Sequence, residues 1–145
     1  MPRYFTLTEA RAALPETGKL VHDAVQAKDR YQQAEGTLQE LSRRIMMMGG
    51  ITVDTPSAEL WKNQRDSNEQ ALRNLVERLE EVGCVVKDLD VGLIDFPTLF
   101  RGEEVYLCWK LDEADIEFWH GVHEGFAGRR PIDRQFIENH RGDSV

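Results

Sequence analysis

Cysteine is scarce in this chain of 145 residues. There are two, Cys84 and Cys108, too few for a disulfide framework, so the thiols are expected free and the compartment reducing. Long apolar runs are missing as well. None approaches the ~20 residues that cross a bilayer, so no membrane partner is expected. The opening MPRYFTLTEA has neither a basic stretch nor an apolar core, so no signal peptide is read there and the expected location is cytoplasmic. Basic charge is in deficit, 18 Lys and Arg against 26 Asp and Glu, a net −8. Such a surface repels a phosphate backbone, and nucleic acid is not an expected partner. Internal repeats and low-complexity segments are also absent. The length suits a single domain over 1–145 with a real core.

Glycine and proline are thin where they would interrupt helices. Residues 3–7, RYFTL, read as a short strand, and Thr8 as the N-cap of a short helix running into Pro15. Pro15 is then placed in the first turn of a new helix. From there to about Met48 the chain has two glycines, Gly18 and Gly36, and no proline. Leu14, Val21, Ala24, Val25, Tyr31, Leu38, Leu41, Ile45 and Met48 recur at helical spacing on one stripe. The rod would be on the order of 50 Å long. After GGITVDTPS, with Thr55 as N-cap and Pro56 at the first helical position, a second helix is predicted to Val82, with Gly83 as its stop. Residues 8–82 therefore read as an antiparallel helical hairpin.

Beyond Gly83 the grammar changes. CVVKDLDVGLIDFP, EEVYLCWKL and DIEFWH are short, β-branched and aromatic, and separated by turns at Arg101-Gly102 and Asp112-Glu113. They predict two or three antiparallel strands within 84–120. Alternation puts Val105, Leu107, Trp109 and Leu111 on one face and Tyr106, Cys108 and Lys110 on the other. One face should pack on the hairpin, and the other needs a second cover from the C-terminal segment or another subunit. Residues 121–145 read as an ordered loop and tail, with Asp133 capping RQFIEN. The fold class is α+β: a long antiparallel helical hairpin with a small antiparallel β-sheet.

Unusual chemistry gathers late in the chain. Asp95 is an acid in an apolar strand and needs a partner, for which Arg129 is the first candidate. Cys108 reads as a small buried hydrophobe. His120, His123 and Glu124 form an H-x-x-H-E run whose donors suit zinc, iron or manganese, although the spacing is not that of the helical metalloprotease motif. GFAGRR offers glycines and the guanidinium groups of Arg129 and Arg130 to a small anionic ligand, with Trp119 as an aromatic wall. Asp95, His120 and Arg129 are expected to converge at one end of the sheet. Met46, Met47, Met48, Ile51 and Val53 make an apolar hairpin tip that should be covered.

Several stretches carry a resemblance: YFTLTEARAALP at 4–15, VGCVVKDLDVGLIDFPTLFRGEEVYLCWKL at 82–111, IEFWH at 116–120 and GFAGRRPI at 125–132. In these the chain resembles the bacterial family known as domain of unknown function 2203. The resemblance implies a single intracellular domain whose shared part is the C-terminal cluster, and it carries no activity with it. Members similar to this chain tend to have an acid three positions after the FWH histidine, where this chain has His123, followed by Glu124.

Two functional readings follow. The first is a non-catalytic ligand-binding or interaction module that self-associates through its hairpin as a dimer. The other is a metal-dependent, hydrolase-like enzyme built around His120, with Glu124 or His123 as the next ligand and Asp95 or Cys108 nearby.

Overall fold

The computed structural model describes residues 3–49 and 55–143. Its first helix, α1, is Leu7–Met47, and the second, α2, is Thr55–Val82. The strands are β1 Val85–Asp88, β2 Leu93–Phe100, β3 Glu103–Lys110, β4 Phe118–Gly121, β5 Arg130–Pro131 and β6 His140–Arg141, with a short helix α3, Arg134–Asn139, before the last. The sheet is antiparallel in the order β1-β2-β3-β4-β5, and β6 pairs with β2. The α+β hairpin-and-sheet architecture expected from the sequence is the one observed.

Two local expectations at the N-terminus are corrected. Helix α1 is capped by Thr6, not Thr8. The Thr6 hydroxyl accepts the Glu9 N–H at 3.0 Å, and the Glu9 carboxylate accepts the Thr6 N–H at 2.9 Å, which is a reciprocal capping box. Residues 3–6 are consequently not a strand. Phe5 does donate its N–H to the Pro97 carbonyl at 2.7 Å, but a paired strand would need Pro97 to donate back, and proline has no N–H. The segment lies against the β2 edge, held on its other side by Asp143, whose N–H reaches the Tyr4 carbonyl at 3.0 Å. The imidazole of His140 accepts the Leu7 N–H at 2.9 Å, so another free donor of the first turn is satisfied.

Helix α1 also runs unbroken through Pro15, where a boundary was expected. An internal proline removes one hydrogen bond and costs about 3 kcal/mol. Here Ala10, Leu14, Thr17, Leu20, Val21 and Ala24 are buried on both sides of it while Pro15 itself faces out. Burying a leucine-sized side chain is worth about 1.5–3 kcal/mol, so the packed face outweighs the missing bond. Helix α2 takes in Thr55, the residue expected to cap it. Residues 50–54, with Ile51 and Val53 of the expected tip, lie outside the described residues.

The core forms where α1 and the end of α2 cross one face of the sheet. Phe5, Leu7, Leu14, Leu20, Val21 and Leu79 pack with Ile94, Phe96, Val105, Leu107 and Trp109, as the alternation in β3 predicted. Arg101 at φ 52° and Gly102 at φ 82° turn β2 into β3, and positive φ at both positions is what a two-residue type I′ hairpin requires. Helix α3, capped by Asp133 as expected, inserts Phe136 between Phe100, Trp119 and His140.

A buried Asp–Cys–His cluster on the second sheet face

Strand register assembles the site. Asp95 pairs with Cys108 across β2 and β3, and His120 on β4 pairs with Tyr106, one alternation from Cys108. All three side chains therefore emerge on the sheet face turned away from the helices. Asp95 and Cys108 are 0% exposed and His120 is 3% exposed. Their potential ligand atoms all lie within 4.8 Å of one another.

The bonds fix the proton inventory. His120 Nδ1 faces the Gly121 carbonyl at 2.8 Å, and a carbonyl only accepts, so Nδ1 carries a hydrogen. Nε2 faces Asp95 Oδ1 at 3.0 Å, so a single proton lies between them and the pair is neutral as a whole. Asp95 Oδ2 is buried and has no hydrogen-bond partner among the described residues. The Lys87 ammonium stands 3.9 Å from it and rests over the Tyr106 ring at 4.6 Å. Burial pushes the Asp95 carboxyl above its ordinary range, with His120 pulling the other way. Burial, reinforced by the Asp95 charge, pushes the Cys108 thiol up to about 12, so it is a thiol and no nucleophile at neutral pH.

The expected convergence of Asp95 and His120 is observed, but Arg129 takes a different partner. Its guanidinium grips Glu113 through two bonds, 3.1 and 2.6 Å, while its plane covers Phe118 at 3.9 Å and Phe126 at 4.5 Å. It thus lids the cluster from the Cys108 side instead of bracing Asp95. Arg130 holds Glu124 at 2.8 and 2.9 Å and stacks on Trp119. Both guanidinium groups that were candidates for a small anion already hold a carboxylate.

The glycines of this loop serve the same arrangement. A Cβ on Gly121 or Gly128 would come within 2.8 or 3.0 Å of the Glu124 carboxylate, and Gly121 donates its N–H to it at 2.9 Å. Trp119 belongs to the helix-side face, tilted on Phe100 and Phe136, one residue out of phase with His120. His123 is exposed. The H-x-x-H-E run is therefore not gathered into one ligand set: His120 joins Asp95 and Cys108, and Glu124 joins Arg130.

A family model described as uncharacterized conserved protein, DUF2203, matches residues 3–132. The chain belongs to the DUF2203 family. The match takes in the hairpin, β1 to β4 and the whole Asp95–Cys108–His120 cluster, and it stops before α3. No curated protein and no solved structure matches the chain. Among the described residues no helix is long and apolar enough to cross a membrane. Sequence reasoning overlooked Lys87 and Glu113. Each is an ordinary charged residue near a turn, and only the strand register shows what it faces.

Proposed function

We propose that this DUF2203 chain is a non-catalytic interaction module that self-associates through its helical hairpin. The observation that carries the reading is the length mismatch between hairpin and sheet. At 41 residues α1 spans about 60 Å, whereas the longest strands, of 8 residues, span about 27 Å. The buried positions of α1 end at Ala34. Beyond it Leu38, Leu41, Ile45 and Trp61 are half-buried, and Met46, Met47 and Leu60 are 80%, 77% and 56% exposed. A second copy related by a twofold axis supplies two more helices and closes a four-helix bundle over these side chains.

The enzyme reading is less well supported. A catalytic metal keeps an open coordination position for water or substrate, and Asp95, Cys108 and His120 are sealed from solvent. The unpaired buried thiols of Cys84 and Cys108 support a reducing, cytoplasmic setting.

The test is a charge placed in the bundle seam. Leu60→Glu should convert a dimer into monomers at micromolar concentration, as read by sedimentation velocity, without loss of helix content. An unchanged sedimentation coefficient for the variant would remove the hairpin as the interface.

A further inference from the structure

We infer that Asp95, Cys108 and His120 form a closed structural site for one zinc-type divalent cation. Three observations carry it independently of the self-association reading. The donor set is one imidazole, one thiolate and one carboxylate, the mixture that borderline-soft divalent metals take in tetrahedral sites. The imidazole is already set for the role: Nδ1–H is bound to the Gly121 carbonyl at 2.8 Å, leaving Nε2 turned into the cluster, and ligating histidines are oriented by just this kind of backbone acceptor. Finally, Asp95 Oδ2 is fully buried and, among the described residues, has no hydrogen-bond partner at full geometry. The Lys87 ammonium at 3.9 Å and the Cys108 thiol beside the carboxylate satisfy it only in part, a costly arrangement for a carboxylate oxygen. Bidentate binding by Asp95 would give that oxygen its partner and bring the donors to four: His120 Nε2, Cys108 Sγ, and Asp95 Oδ1 and Oδ2.

Charge balance agrees with the geometry. Without metal, the cluster holds a neutral thiol and an Asp–His pair sharing one proton, so its net charge is zero. With metal, the thiol proton and the shared proton leave to solvent, and two anionic ligands balance the two positive charges. The buried site is neutral in both states and no uncompensated charge is created. Lys87 is a nearby cation with freedom to move. Its side chain is 37% exposed, so it can swing from Asp95 into water. The donor atoms, now spread over up to 4.8 Å, would close to the spacing that metal–ligand bonds of about 2.0–2.3 Å impose. His123, which the sequence suggested as a ligand, has no place in this site.

The probe is cobalt(II), titrated anaerobically into the full-length, untagged, metal-stripped protein. The expected result is one cobalt per chain with a thiolate-to-cobalt charge-transfer band and the intense visible bands of a four-coordinate ion. Zinc should displace it. About two protons should be released per ion, so that affinity weakens about a hundredfold for each unit of falling pH. Cys108→Ser should abolish the charge-transfer band, and Cys84→Ser and His123→Ala should leave it intact. X-ray absorption of the zinc-loaded wild type gives a second reading that needs no variant to fold: one sulfur and two or three nitrogen or oxygen neighbours. No stoichiometric binding, a band that survives Cys108→Ser, or a zinc shell without sulfur would overturn the site.

Discussion

Asp95 and His120 share a proton across 3.0 Å in a place water does not reach, and the cost of disturbing them depends on what is left behind. Asp95→Ala strands the His120 ring and should destabilise the fold by about 3 kcal/mol in urea unfolding. Asp95→Asn keeps a donor for Nε2 and should cost well under half of that. The pH dependence has a definite sign. Burial holds the Asp95 carboxyl above its ordinary value, so the folded state keeps a proton that the unfolded chain gives up. The stability contributed in this way is present at low pH and lost as pH rises through the raised value. The advantage of wild type over Asp95→Asn should therefore shrink as pH climbs above about 4, as paired melts across pH would show. The thiols give a parallel reading. With Cys84 and Cys108 both pushed up to about 12 by burial, about one in ten thousand is ionised at pH 8. Iodoacetamide should label neither in the native protein and both after denaturation, and rapid native labelling would show that these environments are not closed. The sequence announced Asp95 as an acid among apolar neighbours and placed His120 near it. It could not announce the partner of Arg129, because Glu113 sits in a turn with no motif and is selected only by three-dimensional proximity.

At the level of elements, the two helices and their stop at Gly83 were legible because periodicity over many residues leaves little choice, as was β3. The two or three strands expected are six, and CVVKDLDVGLIDFP falls on two of them, β1 and β2, joined by a turn. The misreadings occurred where a short-range signal competed with packing. Thr6 and Glu9 are a capping box at the spacing S/T-x-x-E, yet the aromatic-rich RYFTL at 3–7 reads as a strand. Thr6→Ala should cost about 1 kcal/mol, whereas Thr8→Ala, on an exposed helical residue, should be near neutral in the same denaturation assay. Pro15 was read as a boundary because its local cost is real, and the buried face of α1 hides that cost without removing it. Pro15→Ala should accordingly stabilise the protein, by about 1–3 kcal/mol, visible as a higher midpoint in thermal melts. A loss of stability there would mean that the proline is needed for the path of α1 over the sheet. The two-residue strands β5 and β6 were beyond reach of the sequence, since neither contains enough residues to show a period of two.

The molecule is unevenly packed: a dense end, where α1, α2 and α3 meet the sheet, and a distal stretch of hairpin where, among the described residues, one helix covers the other. That unevenness is the basis for assigning a second copy to the hairpin. The decisive measurement is the solution mass by multi-angle light scattering at micromolar concentration. The account predicts twice the 16.7 kDa of one chain, and a mass of 16.7 kDa across that range would contradict it.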